Sequence, residues 1–438
     1  MKVLKFGGTS VGSPENMRAV MGIIANGEQK LVVLSAMSGT TNSLVEIANY
    51  LHKKNKDGAR LVISQLEQKY NKVVTELYKT DEKKEKGKKI ITDIFNTIKS
   101  YTASEFSEVV ENAIVAQGEL ISTALFTELM VENGYKAAYL PALEFMRIDS
   151  DKAADLFYIR EHIAEVLKNA GEADYYITQG FICRNANNEI DNLQRGGSDY
   201  TATLIGAAID SEEVEIWTDI DGFHNNDPRY VENTRKIDQL SFDEAAELAY
   251  FGAKILHPQT VLPAKLQNIP VRLKNTMNPS DSGTLIASQS SGKGIKAVAA
   301  KDGITAIKVR SYRMLNAYGF MKNLFEVFDF FKTSVDMVTT SEVAVSLTID
   351  NTKHLNEIVA ELKEYGEVEV DTNMSIICIV GDMIAEEKGI ATKVFDALAH
   401  IPIRMISYGG SRHNISVLVS TDLKKETLNA LSKYALNN

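Results

Sequence analysis

Cysteine is nearly missing from this chain: only Cys183 and Cys378 occur in 438 residues, far apart and with no ligand motif around either. Neither a disulfide framework nor a zinc site can be assembled from them, which fits a reducing cytoplasm, and Cys183 reads as a core thiol. No run of about 18 apolar residues occurs, so no membrane-spanning helix is expected. The opening Met1 to Gly8 turns to glycine before a signal-peptide apolar stretch could form. An excess of positive charge is also lacking. Lys plus Arg number 48 against 58 Asp plus Glu, a net charge of −10 with pI near 5.4, which argues against nucleic acid as a partner. What is present is ordinary for a globular protein: 44% apolar, 24% charged and 8% aromatic residues. At roughly 150 residues per domain the length predicts about three units.

Residues 1–293 alternate short β-rich runs with helical patterns, the mark of α/β architecture with a mainly parallel sheet. Strands are expected at 3–6, 30–34, 136–140, 175–178, 214–218 and 270–274. A helical insertion is expected at about 50–130, with helices over 60–78 and 105–130. The lysine-rich stretch 79–89 is interleaved with Asp81, Glu82 and Glu85, so it reads as a solvated helix end or loop and not as a phosphate patch. Small polar residues and glycine at 287–294 predict a linker. They do not make a nucleotide P-loop, because Ala287 stands where the first glycine belongs and Gly294 where Ser or Thr should be. Beyond it a unit of strand, helix, strand, strand, helix occurs twice, with strands at 304–309 and 375–380 opening the two copies. Such small units gain by packing side by side.

Four loops carry the chemistry. The first strand ends in Lys5-Phe6-Gly7-Gly8-Thr9-Ser10, and a helix capped by Ser13 with Pro14 at its first position follows. Paired glycines let backbone amides approach an anion, Lys5 adds charge, and phosphate recognition competes with a plain tight turn. A second pair, in Arg195-Gly196-Gly197-Ser198-Asp199, opens a helix whose amino end is a second anion site. Asp199 falls in its first turn, either as a helix-stabilising carboxylate or as part of the site. The polar run Thr218 to Arg229 follows a strand and falls where ligands bind in α/β sheets, or forms an Asx-rich surface loop. His224 has no partner at metal-ligand spacing, and no protein metal site is expected. A capping box, Ser241 to Glu244, starts a helix expected to run to Leu256 before His257-Pro258, with Lys254 in its last turn.

Together these strings resemble the aspartokinases of the amino acid kinase family over essentially the whole chain. They are KFGGTSVG (5–12), VLSA (33–36), QGELIST (117–123), TQGF (178–181), RGGSDYTA (195–202), WTD (217–219), DPR (227–229) and FGAKILHP (251–258). The resemblance implies an amino acid kinase fold, an α/β/α sandwich with a mainly parallel sheet, over 1–293. Two ferredoxin-like βαββαβ ACT domains would follow, over 294–370 and 371–438. It implies transfer of the γ-phosphoryl group of ATP, with Mg2+, to the side-chain carboxylate of L-aspartate, the first step of lysine, threonine and methionine biosynthesis. Lys5, Gly7 and Gly8 would hold the transferring group, with Asp199 orienting Lys5 or the magnesium waters. Ser35, Thr41 and Ser198 would line the substrate side, Glu119 would receive the α-amino group and Arg195 the α-carboxylate. ATP would be held by Lys5, Gly8, Thr218, Asp219, His224, Arg229 and Lys254. His224 and Asn225-Asn226 depart from the family's usual tyrosine and threonine-rich pair.

In the first ACT repeat the resemblance is to lysine-sensitive enzymes and places an L-lysine site at Met314, Gly319, Met321, Val335, Asp336, Ser341 and Glu342. Asp336 and Glu342 would neutralise the effector's amino groups. It also implies a homodimer paired through ACT domains, or a tetramer built from such dimers, in the cytoplasm, with neither membrane nor nucleic acid as partner. Other amino acid kinases lack the helical insertion joined to a paired ACT tail. A pure amino-acid sensor would not need Lys5, Glu119, Arg195 and Asp199, and no length is left for a fused homoserine dehydrogenase.

Overall fold

The computed structural model describes all residues except 194–195, 253–255, 291, 315–317, 383, 385 and 437–438, and of 434–435 only the backbone. The described chain divides into two compact units, 1–222 with 255–289, and 223–254 with 290–438. The seam at 289 lies close to the expected cut at 293. The segment 223–254, expected on the catalytic side, groups with the C-terminal unit.

In the first unit the strands run side by side in the order Ala137–Leu140, Tyr175–Gln179, Lys30–Leu34, Lys2–Phe6, Val214–Thr218, Val271–Asn275 and Thr284–Ala287. All neighbours are parallel except the last pair. Every residue of Lys30–Leu34 and Tyr175–Gln179 is buried, as expected for central strands of a parallel sheet covered on both faces. Thr284–Ala287 and the hairpin Ile182–Arg184 with Ile190–Asn192 were not anticipated. The helical insertion comprises Thr40–His52, Lys56–Leu77, Asp81–Tyr101, Glu108–Val115 and Gln117–Glu132. Leu44, Ile63, Tyr70, Phe95, Ile121 and Phe126 join its helices to the sheet in one core. Thr80 caps Asp81–Tyr101, so the lysine-rich stretch begins a helix. By length and composition Glu108–Glu132 passes as a possible membrane span, but most of it is buried inside this core.

In the second unit one six-stranded sheet runs Val338–Thr340, Ala344–Ile349, Gly294–Arg310, Glu367–Asp382, Asn414–Ser420 and Met405–Tyr408, all antiparallel. The two long central strands pass through both repeats. Their 306–310 and 367–371 portions pair in the first repeat, whereas 294–301 pairs with 376–382 in the second. The expected linker thus gives way at Gly294 to a strand, and the closing strand of the second repeat comes from the chain entering the first. Each repeat has its own core, around Ile307, Leu324, Phe328 and Leu347 in one and Val298, Ile377, Val394 and Leu428 in the other. The helix Phe242–Tyr250 starts at the anticipated capping box, with the Glu244 amide on Ser241 Oγ at 3.1 Å and the Ser241 amide on Glu244 Oε2 at 2.7 Å. It ends at Tyr250, short of the expected Leu256. Gly252 (φ 136°) turns the chain there, so close to the central strand that a Cβ would lie 2.1 Å from the Ala300 carbonyl.

Candidate active site

The first unit carries a cavity of about 390 Å³ at the carboxyl ends of its central strands. The first strand delivers Lys5 and Gly8 to it, and the second delivers Ser35 and Ala36. The amino ends of two helices complete it, Gln117–Glu132 with Glu119 and Gly197–Ala208 with Ser198 and Asp199. This is where ligands bind in open α/β sheets. Lys5 Nζ pairs with Asp199 Oδ1 at 2.6 Å, and both side chains are largely buried. The ammonium is thereby fixed at the mouth of the first loop.

Gly8 packs where a Cβ would come 2.8 Å from the Ala36 carbonyl, so the two strand-end loops touch only because it is glycine. The Ser38 amide donates to the Gly8 carbonyl at 3.1 Å and the Ser35 amide to the Phe6 carbonyl at 3.2 Å. The Gly7 amide is donated to the Trp217 carbonyl at 3.3 Å, so Gly7 shapes the turn. At the second loop, Gly196 (φ 68°) caps the helix, and the first intrahelical bond runs from the Tyr200 amide to its carbonyl. The amides of Gly197, Ser198 and Asp199 precede that bond, and helix amino ends of this kind receive anions.

Opposite these groups sits a buried carboxylate. Glu119 is 4% exposed, and its Oε1 accepts the Ala36 amide at 3.1 Å while Oε2 has no partner. Burial pushes its carboxyl up to about 7 against the pull of the Ala36 amide. Ser122 Oγ donates to the Ser35 carbonyl at 2.8 Å, and Ser35 Oγ donates to Ser198 Oγ at 3.0 Å. Thr41 lines the same cavity. Thus Lys5, Gly8, Ser35, Thr41, Glu119, Ser198 and Asp199 converge as expected, and Arg195 lies outside the described residues. Met37, Gly39, Asn42 and Phe181 also line the cavity and were not anticipated, since none belongs to a charged or glycine-pair signal.

The expected nucleotide residues divide between the units. Thr218 ends the strand Val214–Thr218 in the first and Asp219 follows it, the hydroxyl of Thr218 donating to Asp219 Oδ1 at 3.1 Å. His224 and Arg229 belong to the second unit, and Lys254 lies outside the described residues. Arg229 is exposed and grips Asp227 through Nε at 3.0 Å and Nη2 at 2.6 Å. His224 Nδ1 lies 3.4 Å from Thr234 Oγ1. The unusual Asn225-Asn226 pair has structural work: Asn225 Oδ1 accepts the Arg235 amide at 2.8 Å, its carbonyl accepts the Val298 amide at 2.9 Å, and Asn226 Nδ2 donates to the Leu428 carbonyl at 3.2 Å. Both cysteines are free and buried, which pushes their thiols far up and leaves them inert. No cluster of three or more His, Cys, Asp or Glu suited to a metal occurs among the described residues.

Of the expected effector residues, Met314, Met321 and Val335 pack against the first-repeat core, and Gly319 (φ 78°) caps the helix Phe320–Phe330. Ser341 and Glu342 are exposed, with the Ser341 amide on the Ala344 carbonyl at 2.8 Å. The Asp336 side chain is buried and already holds a cation, Lys301 Nζ at 2.9 Å.

A mainly parallel sheet whose strand ends bring a lysine, two glycine turns and a helix amino end around one cavity defines a phosphoryl-transfer enzyme. The amino acid kinase family model matches residues 1–275, and an ACT-domain model matches residues 377–434. Lysine-sensitive aspartokinase 3 of Escherichia coli (strain K12) is 34% identical over 436 residues, covering 95% of each chain. A crystal structure of E. coli aspartokinase III in complex with aspartate and ADP is 32% identical, covers 100% of both chains and superposes with a TM-score of 0.81. The same enzyme in complex with lysine and aspartate is 32% identical, covers 99% of both chains and superposes at 0.80. The chain belongs to the amino acid kinase family and, within it, to the aspartokinases. It is a phosphotransferase that carries an ACT domain.

Proposed function

We propose that the protein transfers the γ-phosphoryl group of ATP to the side-chain carboxylate of L-aspartate, giving 4-phospho-L-aspartate, and that L-lysine inhibits it through the ACT repeats. The observation that carries this reading is the single cavity uniting the Lys5–Asp199 ion pair, the helix amino end at Gly197 and the buried Glu119. An aspartate carboxylate is ionised at neutral pH, so no general base is required and the protein's task is to position and neutralise. Lys5 and the amides near Gly8 and Ser198 receive the transferring phosphoryl, and Asp199 holds Lys5 in place. Glu119 binds the substrate's ammonium, Ser35 and Thr41 line its path, and Arg195 takes its α-carboxylate. Thr218, Asp219, His224, Arg229 and Lys254 serve the nucleotide.

Mg2+ would arrive on the ATP phosphates and keep most of its waters, since among the described residues the cavity offers only the lysine-bound Asp199 and the buried Glu119 as carboxylates. When bound, it neutralises charge on the transferring group. The ACT repeats, 294–370 and 371–438, would bind lysine at Met314, Gly319, Met321, Val335, Asp336, Ser341 and Glu342, pair the chain into a homodimer and act in the cytoplasm. The relatives' bound aspartate, ADP and lysine support this reading. The test is ADP release with L-aspartate and MgATP, repeated with L-lysine and with L-threonine. Turnover suppressed by lysine is expected; absence of aspartate-dependent turnover overturns the proposal.

A further inference from the structure

Asp336 is tied to more than its own repeat. Its side chain is 1% exposed, and two groups from distant parts of the chain, Lys301 and Tyr250, contact it. Lys301 Nζ, from the central strand Gly294–Arg310, lies 2.9 Å from Oδ1 and also 2.9 Å from Asp350 Oδ2. The Tyr250 hydroxyl donates to the same Oδ1 at 2.6 Å, and Lys301 Nζ sits 4.6 Å over the Tyr250 ring. Asp336 Oδ2 is buried with no hydrogen-bond partner. Lys301 is shared with the solvent-exposed Asp350, so the buried Asp336 Oδ2 is an unsatisfied acceptor that one more cation or donor could meet.

Tyr250 is the last residue of the helix Phe242–Tyr250, in the segment that follows Gly222 and groups with the second unit. That segment carries His224 and Arg229. Its helix is held to the regulatory sheet at its start by Glu244 on Lys296 at 3.2 Å, and past its end by Gly252 against Ala300. Partial burial of the Tyr250 hydroxyl and the Asp336 carboxylate that accepts from it push the phenol above its ordinary range, so it stays a donor. We propose that Tyr250 is the residue through which effector occupancy at Asp336 reaches the segment 223–254. An ammonium arriving at Oδ2 brings a second positive charge beside Lys301 and draws on the carboxylate that Tyr250 holds, so the helix end is re-seated.

This link rests on the proposed binding of lysine at Asp336. It is tested with the full-length protein by measuring the Kd for L-lysine by calorimetry and the lysine concentration that halves ADP production, for wild type, Tyr250→Phe and Asp336→Asn. Tyr250→Phe is expected to keep its Kd within about threefold while the inhibitory concentration rises at least about tenfold, a coupling loss within the usual range. Uninhibited turnover should be unchanged. If inhibition and Kd move together in Tyr250→Phe, or neither moves, the Tyr250 link is overturned. If wild type fails to bind lysine, or Asp336→Asn binds it as tightly, the effector reading itself fails. Hydrogen–deuterium exchange over residues 242–252 in the wild type gives a second measurement free of any folding defect. Lysine should change it, and no change overturns the link.

Discussion

Replacing Glu119 by Gln separates stability from catalysis in a way that few active-site substitutions do. The cavity holds this carboxyl with one oxygen on the Ala36 amide and the other without a partner, and its pKa stands at about 7 against an ordinary 4.5. Because the folded-state value is the higher one, the folded protein keeps a proton that the unfolded chain has already lost. Stability is therefore greatest below about pH 4.5 and declines as pH rises through 7, where the full deficit of about 3 kcal/mol is reached. A glutamine side chain in its place would keep the bond to the Ala36 amide and carry no charge to desolvate. The Glu119→Gln protein is expected to melt several degrees above wild type at pH 8, with the gap closing by pH 5. Its aspartate KM should meanwhile rise about ten- to a hundredfold, the worth of a charge-assisted bond to the substrate ammonium. In wild type the same proton competes with substrate, so the KM should climb about fivefold between pH 7 and pH 6 as the ionised fraction falls from about a half to about a tenth. The other ionisable groups lining the cavity among the described residues, Lys5 and Asp199, are paired with each other. Thermal melts and initial-rate kinetics across pH decide the matter. A Glu119→Gln protein less stable than wild type at pH 8 would refute the reasoning, because it would mean that the carboxylate is ionised and satisfied before substrate arrives.

Lys5→Met is expected to lower kcat by about a hundredfold or more, with a smaller change in aspartate KM, since its ammonium is placed for charge that develops on the transferring phosphoryl. Steady-state rates check this, and a KM effect with kcat intact would assign Lys5 to ground-state binding instead. Gly8→Ala should fold, yet lose about a hundredfold in turnover, because its Cβ would meet the Ala36 carbonyl at 2.8 Å and push apart the two loops that shape the cavity. Near-wild-type rates for Gly8→Ala would show that those loops yield without consequence.

How far these arrangements are legible in the sequence follows from the range over which each is encoded. Lys30–Leu34 is apolar and buried throughout and reads directly as a central strand, whereas Ile190–Asn192 is short, polar and paired only in a hairpin, and gives no periodic signal. Lys5, Gly8, Ser35, Glu119 and Asp199 are legible because an α/β sheet gathers its strand and helix ends at one edge, so local strings at those ends imply a shared cavity. The expected helix through Leu256 failed for a long-range reason. Its apolar spacing continues past Tyr250, but the central strand approaches so closely at Ala300 that only the turn at Gly252 fits. The strand Gly294–Arg310 was half hidden for a related reason: its first half faces a partner strand more than 70 residues away, and only that pairing makes the glycine- and lysine-bearing start of it extended. The same distance conceals the contacts of Asp336. The family resemblance implies an ammonium ligand at Asp336, yet nothing near it in the chain shows that Lys301 and Tyr250 already hold it. Residues at element ends can be read locally, but Asp336, Lys301 and Tyr250 are joined only by the folded sheet, which is why their mutual contacts are what the structure adds to the sequence.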